Sequence, residues 1–344
     1  MAKRGTASMK DVAILAQVSI GTISNVLNRP ELVSDATRER VLAAIDKLGW
    51  IRNESARQLR AGRSRSIGLV VMDIANPFFG DVTRGVEAVA AAAGYSVLLA
   101  DSAELPQRER SALELLQQLR VRGVVLTPIA ENSLINTSHS VEMPIVLADR
   151  AGGGHAGCTA SVDDFVGGQL AASHLLERGH RRIAVVGGSG GLRQVQERRD
   201  GASRAVLLGS RDATLVTIST EKLDVAAGRT VAETLAMTSV DERPTGVFAT
   251  NDLVAIGLLQ GLVTRGIRVP EEVAIVGYDD IEFASAAAVP LSSVRQPRAD
   301  LGRRAAELLF AEIEAADNEE PHVHEHARFL PELVVRASSD HHRP

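Results

Sequence analysis

From residue 67 onward, short apolar runs alternate with longer amphipathic stretches. Such runs are typical of strands buried on both faces, and the stretches between them have helical spacing. The runs lie at 67–72, 97–100, 124–127, 145–148, 183–186, 215–218, 247–249 and 274–278. Helical spacing is found, for example, at 81–93, 107–120, 165–178 and 252–265. Eight strands alternating with helices predict an α/β core of parallel sheets, divided into two doubly wound lobes.

The first 50 residues have the pattern of three short helices, a small all-α head. The first helix is predicted over 10–16; Ser19 can cap a second that runs to about Leu27, and Ser34 can cap a third that Gly49 ends. The predicted inward positions are Val12, Ala13, Ala16, Ile23, Val26, Leu27, Val41, Leu42, Ile45 and Leu48. Two helices joined by a short connection, with a third in support, form a helix-turn-helix arrangement.

Charge is distributed unevenly between this head and the rest of the chain. Residues 1–66 hold 12 Lys and Arg against 6 Asp and Glu, a net charge of +6. The remainder holds 26 against 37, a net charge of −11, and the whole chain carries −5. A basic segment with helical periodicity is a candidate phosphate-binding surface rather than a solvated tail.

The outward face of the second helix is short and almost uncharged. It consists of Ile20, Gly21, Thr22, Ser24, Asn25 and Asn28. Small hydroxyl and amide side chains allow a helix to approach the major groove closely, where they donate to phosphates or read base edges. An ordinary solvated face is the alternative, and it would carry more Lys and Glu.

A further short helix is predicted over 53–61. Asn53 can cap it, Gly62 can end it, and Ala56 and Leu59 lie on one face. Isolated helices below about 12–15 residues are marginal in water, so this one needs a partner. The surrounding arginines suit phosphates and Leu59 suits a wedge entering a base step from the minor groove, whereas a plain basic linker is the alternative.

These patterns divide the chain into three parts. The predicted boundaries are 1–50 for the helix-turn-helix head, 51–66 for a hinge helix and linker, and 67–344 for the core. Within the core, one lobe is predicted over 67–166 and 298–325 and the other over 167–295 and 326–340.

Polar residues follow the predicted strands of the core. They are Asp73, Asp101, Asp149, Arg150, Asn251, Asp252, Asp279 and Asp280. Ligands of open parallel sheets bind outside the carboxyl ends of the strands, so these groups predict a cleft for a hydroxyl-rich ligand such as a sugar. Phe78 and Phe79 can close over an apolar ring face. Helix capping is the competing interpretation for Asp and Asn at such positions.

The chain resembles the lactose-repressor (LacI) family over nearly its whole length. The head and hinge carry KDVAILAQVSIGTISNVLN at 10–28 and VSDATRERVLAAIDKLGWIRNESARQLRAGRSRSIGLV at 33–70. The core carries NPFF at 76–79, ERGHRRIAVVGG at 177–188, ATND at 249–252, VPEEVAIVGYDD at 269–280 and VPLSSVRQP at 289–297. The resemblance implies a periplasmic-binding-protein-like core behind a DNA-binding head.

The resemblance also implies roles for individual residues. Ile20, Gly21 and Asn25 would occupy base-reading positions, Ser19, Thr22, Ser24 and Asn28 phosphate-binding positions, and Leu59 the position of an intercalating hinge leucine. The effector site would be lined by Phe78, Phe79, Asp149, Arg198, Asn251, Asp279 and Gln296. Leu223 stands where the family often has an aromatic residue that stacks on the ligand, which weakens the case for a simple pyranose.

We therefore expect a cytoplasmic repressor that binds a palindromic operator in double-stranded DNA as a homodimer, under control of a small-molecule effector. A corepressor-dependent regulator and a transporter's solute-binding protein are the alternatives. Neither a signal peptide nor a membrane span is expected, and a single cysteine, Cys158, permits no internal disulfide.

No enzyme signature, catalytic residue or cofactor is expected. His322, His324 and His326 alternate along the chain, and we interpret them as a solvated edge rather than a metal site.

Overall fold

The computed structural model describes residues 7–50, 64–129, 143–150, 157–188 and 191–341. The chain forms two compact units, Met1–Arg63 and Ser64–Pro344, the head and the core. The predicted hinge residues Asn53, Ala56 and Leu59 lie outside the described residues.

The head has the three predicted helices, α1 (Met9–Ala16), α2 (Ile20–Asn28) and α3 (Asp35–Leu48), with a 3₁₀ turn at Pro30–Leu32. Ser19 caps α2 by accepting a hydrogen bond of 3.0 Å from the Thr22 amide. Gly49 ends α3 in the left-handed region, at a φ of 57°. Ser34 precedes α3 but donates to the Thr37 hydroxyl and makes no side-chain cap to the backbone.

The head encloses one small apolar core. Val12, Ile23 and Val41 are fully buried at its centre. The prediction that Leu42 faces inward is wrong, because its side chain is 48% exposed and Ala44 is buried instead. Steps of three and four residues from Val41 lead to 44, 45 and 48, so position 42 falls outside the buried stripe.

The core contains two six-stranded sheets. The first-lobe strands are β1 (Ser66–Val71), β2 (Ser96–Asp101), β3 (Val124–Leu126), β4 (Ile145–Ala148), β5 (Thr159–Val162) and β11 (His326–Phe329). The second-lobe strands are β6 (Arg182–Gly188), β7 (Thr214–Thr220), β8 (Gly246–Ala249), β9 (Ala274–Asp279), β10 (Ser292–Arg295) and β12 (Glu332–Val334). Their orders are β11-β5-β4-β3-β1-β2 and β12-β10-β9-β8-β6-β7. Every pair is parallel except β10 with β12, so the predicted fold class is confirmed.

Helices cover the faces of both sheets. They are α4 (Pro77–Ala92), α5 (Pro106–Gln118), α6 (Asp164–Glu177), α7 (Arg193–Gly209), α8 (Val225–Met237), α9 (Asp252–Thr264), α10 (Glu282–Ala286) and α11 (Arg298–Asp317). Three helix pairs pack closely: α4 with α11, α6 with α7, and α8 with α9. The α6–α7 crossing depends on glycine, since a Cβ on Gly168 would lie 1.9 Å from the Arg198 carbonyl oxygen.

The chain passes between the lobes three times: after β5, after β10 and after β11. The predicted assignment of all of 326–340 to the second lobe is wrong for its first residues. Strand β11 pairs in parallel with β5 of the first lobe, His326 beside Thr159 and Phe329 beside Val162, whereas β12 returns to the second.

Candidate DNA-binding surface and effector cleft

The face of α2 that points away from the head core is the candidate DNA-binding surface. Ser19, Ile20, Gly21, Asn25 and Asn28 are exposed. Thr22 and Ser24 are half-buried. The amphipathic spacing places Ile23 and Val26 on the opposite, buried side, which leaves this face free of head contacts.

Hydrogen bonds distinguish the two asparagines of this surface. The Asn28 amide nitrogen donates to the Ser24 carbonyl at 2.9 Å and to the Ser24 hydroxyl at 3.2 Å, so it is held by its own helix. The Asn25 side chain makes no such bond within the described part of the head. Asn25 is therefore the amide available to pair with a base edge.

Gly21 is not required by the packing of the head. A Cβ built on it meets only the Ser19 hydroxyl, at 3.5 Å, which is ordinary contact. Glycine costs a helix about 1 kcal/mol relative to alanine, and either close approach of the backbone to a partner offsets this cost or the position tolerates it.

A cleft lies between the two lobes of the core at the carboxyl ends of several strands. The first lobe contributes Met72, Asp73, Asn76, Phe78, Phe79, Glu104 and Asp149. The second contributes Leu192, Gln194, Val195, Arg198, Leu223, Asn251 and Asp279.

Arg198, on α7, is the buried cation of this cleft. Its Nε donates to Asp164 at 2.7 Å and its Nη1 to the Thr250 carbonyl at 2.7 Å, while the guanidinium lies 3.7 Å from the centre of the Tyr278 ring. Burial alone would lower the pKa of Arg198, but the neighbouring acidic groups, Asp164 first among them, raise it overall. Nε and one N–H of Nη1 are thus engaged within the protein.

Asp149 and Asp279 are the buried acids that line the cleft from opposite lobes. Both have positive φ, 60° for Asp149 and 103° for Asp279, a sparsely populated conformation for residues with a side chain. Burial raises the pKa of Asp279 to about 6, against the opposing charge of Arg198. Burial and the Asp164 carboxylate raise the pKa of Asp149 well above its ordinary value. Among the described residues, Asp149 Oδ1 has no hydrogen-bond partner, so it can accept a hydrogen bond from a ligand.

Two long hydrogen bonds bridge the lobes across the cleft. Gln194 Nε2 donates to Asp149 Oδ2 at 3.4 Å, and Asn76 Nδ2 donates to Asp279 Oδ2 at 3.5 Å. Bonds of this length are weak, and a ligand that donates to the same carboxylates could replace them. The lobes are thus joined through the groups that a ligand would contact.

Phe78 and Phe79, at the start of α4, form an apolar wall of the cleft. Their rings are 5.0 Å apart in an edge-to-face arrangement, and both are buried. Asn76 caps α4 by accepting from the Phe78 amide at 3.0 Å, which fixes these rings at the strand-to-helix turn.

Two predicted effector residues are occupied by structural contacts. Asn251 lines the cleft, but its Oδ1 caps α9 through the Val254 amide at 2.9 Å and its Nδ2 donates to the Leu223 carbonyl at 2.8 Å. Gln296 does not line the cleft; it lies behind Asp279 and donates to Asp279 Oδ1 at 2.8 Å. Gln296 therefore orients an acid rather than contacting the cavity.

Several polar residues at strand ends lie outside the cavity. Asp101 accepts from the Ala103 amide, and Asp252 from the Ser293 hydroxyl and the Ile281 amide. Asp280 forms ion pairs with Arg295 and Arg336, at 2.7 and 2.6 Å. Arg150 is buried but is not among the residues that line the cleft. These acids are therefore held by backbone amides, a hydroxyl group and arginines, and none of the three caps a helix among the described residues.

The sequence prediction missed Gln194 and Glu104. Gln194 precedes Arg198 by four residues on α7, and helical i, i+4 spacing would have placed it on the same face. Glu104 follows β2 in a loop, and its pKa is raised by burial and by the nearby Asp73. With Glu104, four carboxyl groups line the cleft against one arginine that is already paired.

A helix-turn-helix head joined to a two-lobed, periplasmic-binding-protein-like core defines a class of ligand-responsive DNA-binding regulators. Residues 8–53 match the family described as bacterial regulatory proteins, lacI family, and residues 172–339 match a periplasmic binding protein-like domain. The HTH-type transcriptional repressor PurR of Vibrio atlanticus is 32% identical over 336 residues, which span 96% of this chain and 98% of PurR. The chain belongs to the LacI family of DNA-binding transcriptional repressors.

Solved structures agree with this assignment. The lac repressor dimer bound to operator and the anti-inducer ONPF has the same fold, with a TM-score of 0.83 and 24% identity over 97% of this chain and 99% of that one. A LacI family regulator from Enterococcus faecium with bound ribose is 29% identical, with a TM-score of 0.70 over 81% of this chain and 100% of that one. Within the described residues, no helix combines the length and hydropathy needed to cross a bilayer.

Proposed function

We propose that this protein represses transcription by binding a palindromic operator as a homodimer, and that a neutral, hydroxyl-rich small molecule in the cleft controls its affinity for that operator. The observation that carries the proposal is the cleft itself, where Asp149 and Asp279 face each other beside Arg198. The exposed, uncharged face of α2 supports the DNA-binding half of the proposal.

The charge of the cleft argues for a neutral ligand. Asp73, Glu104, Asp149 and Asp279 line it, and Arg198 is already neutralised by Asp164 at 2.7 Å. A phosphorylated or carboxylated ligand would be repelled by these acids, whereas hydroxyl groups can donate to them. Ribose in the Enterococcus faecium relative belongs to this neutral class.

The dimer half of the proposal rests on an apolar surface of the second lobe. Phe283 is 55% exposed and Val263 47% exposed, and both line a groove with Leu253, Ile256 and Ala287. An exposed apolar patch of this kind is typical of an interface between protein chains. The lac repressor, which has the same fold, is a dimer on its operator.

The ligand class is tested by thermal denaturation of the full chain with neutral pentoses, hexoses and disaccharides, each paired with its phosphorylated counterpart. Neutral sugars are expected to include one that raises the melting temperature, because a ligand that binds only the folded state stabilises it. Its affinity should fall as the pH is lowered from 7 to 5, because the Asp279 carboxylate, with a pKa of about 6, gains a proton and no longer accepts freely.

The matched control for the ligand experiment is Asp279→Asn, whose affinity for the same sugar should be lower and should change less than that of the wild type over this pH range. A stronger response to phosphorylated sugars than to neutral ones would refute the proposed ligand class. Isothermal titration in two buffers of different ionisation enthalpy measures the accompanying proton release directly.

The DNA-reading role is tested by selecting binding sites from random duplexes with the wild-type chain and with Asn25→Ala. The variant should lose discrimination at one position of each half-site by about 1–3 kcal/mol, because a two-pronged amide contact to adenine is lost. Asn28→Ala is the control, because the Asn28 amide donates to Ser24. This variant should have the same base preference as the wild type. Identical preferences for Asn25→Ala and wild type would exclude the base-reading role.

A further inference from the structure

Four potential metal ligands from three segments of the first lobe converge near the edge of its sheet. Cys158 precedes β5, Glu312 lies in α11, and His322 and His324 lie between α11 and β11. One ligand atom from each residue lies within 4.8 Å of every other. None of these residues lines the effector cleft.

Three of the six distances between these atoms are close to the edges of a tetrahedral zinc site. Cys158 Sγ lies 3.2 Å from His322 Nε2 and 3.8 Å from His324 Nδ1, and His324 Nδ1 lies 3.2 Å from Glu312 Oε1. With Zn–S bonds of about 2.3 Å and Zn–N or Zn–O bonds of about 2.0–2.2 Å, the edges of a tetrahedron measure roughly 3.3–3.6 Å. Small side-chain adjustments would therefore bring all four atoms to bonding distance.

The backbone supports the ligands as it does in metal sites. The Glu325 amide donates to Cys158 Sγ at 3.3 Å, and the Cys158 amide donates to Glu312 Oε1 at 2.8 Å. Hydrogen bonds of this kind orient metal ligands. Cys158 is fully buried and Glu312 is 9% exposed, whereas the His324 side chain is 42% exposed and leaves a path from solvent.

The third histidine of the tract does not join the cluster. His326 Nδ1 lies 3.1 Å from the Thr159 hydroxyl, on β11 itself. His322 and His324 precede that strand, so the alternation of the three histidines does not place them on one face. The spacing of the three histidines in the sequence suggested a solvated edge. It gave no sign of Cys158 and Glu312, which are close in space but distant in sequence.

We propose that Cys158, Glu312, His322 and His324 bind one Zn²⁺ ion in a closed, four-ligand structural site. A mixed set of thiolate, imidazole and carboxylate ligands suits zinc better than magnesium or calcium, which prefer oxygen alone. The ion would fasten the segment after α11 to the start of β5. It would thereby stabilise the pairing of β11 with β5, the two first-lobe strands after which the chain passes to the second lobe.

The test uses the full chain, freed of metal with a chelator, and ZnCl₂ as the probe. Equilibrium dialysis with elemental analysis should find about one zinc per chain, and zinc should raise the melting temperature of the core. Co²⁺ in its place should give the intense visible absorption of a tetrahedral site with a thiolate-to-cobalt charge-transfer band. Cys158→Ser should lose that band.

His322→Ala should lower zinc affinity at least about a hundredfold, more than the loss of an outer-shell partner costs. His326→Ala is the matched control and should bind zinc like the wild type, because His326 pairs with Thr159. The melting temperature of each variant without metal checks that it folds. Any of three results would overturn the proposal. His322→Ala could retain zinc affinity, replacement of His341 and His342 could abolish zinc binding instead, or cobalt could give an octahedral spectrum.

Discussion

An Arg198→Leu variant is expected to lose about 3–5 kcal/mol of the core's free energy of unfolding at neutral pH. Arg198 is 4% exposed and lies 2.7 Å from Asp164 and 3.9 Å from Asp279. Its removal leaves these carboxylates buried without a counter-ion, and it also removes the donor to the Thr250 carbonyl. Circular dichroism during urea unfolding measures the effect on the core, and Trp50 fluorescence reports separately on the head.

The Arg198→Leu loss should shrink as the pH falls from 7 towards 5. Without the cation, the folded-state pKa values of Asp164 and Asp279, already raised by burial, rise further above those of the unfolded chain. An acid whose pKa is higher in the folded state binds protons preferentially there, so folding is favoured as the pH falls through that value. A destabilisation that grows on acidification would contradict this account.

Two matched variants separate the buried charge from the helix that carries it. Arg204 is exposed on the same helix, and Arg204→Leu should change stability by less than about 0.5 kcal/mol. Asp164→Asn introduced into the Arg198→Leu protein should recover part of the lost stability, because it removes one unpaired charge. An Arg198→Leu loss below about 1 kcal/mol would mean that Arg198 does not neutralise the cleft.

The parts of the fold that the sequence predicted are those that local physics determines. Strands such as β1 and β9 are buried on both faces and therefore appear as continuous apolar runs. The strands β5, β10, β11 and β12 were not predicted, because they are only three or four residues long and partly polar. Their pairing depends on residues distant in sequence, as when His326 pairs with Thr159, and no local pattern encodes it.

For the cleft, too, the positions of some residues could be predicted from the sequence and those of others could not. Asp149 follows β4 and Asp279 ends β9, each at the carboxyl end of a strand in its own lobe, and the cavity lies at these ends. Whether a polar side chain there faces a ligand or caps a helix depends on its rotamer. Asn251 caps α9 and Gln296 turns to Asp279, and a sequence pattern contains no information on either choice.

A Phe283→Glu variant is expected to be a monomer at micromolar concentration and to bind its operator at least about a hundredfold more weakly than the wild type. Phe283 lies with Val263 on the exposed apolar surface of the second lobe, and a carboxylate there would have to be buried without a partner in a dimer. Two heads on one dimer bind neighbouring half-sites with a gain of roughly 10²–10⁴ in avidity, and a monomer forfeits it.

The control for Phe283→Glu is Met237→Glu, at the far end of α8 from the groove. Met237 is 81% exposed, so the substitution introduces the same charge at an exposed apolar position without touching this surface. Sedimentation velocity should find Met237→Glu dimeric and Phe283→Glu monomeric. Any neutral sugar that stabilises the wild-type core should raise the melting temperatures of the two variants equally. A Phe283→Glu protein that still sediments as a dimer would place the subunit contact on another face. Operator affinity would then not depend on the apolar surface around Phe283.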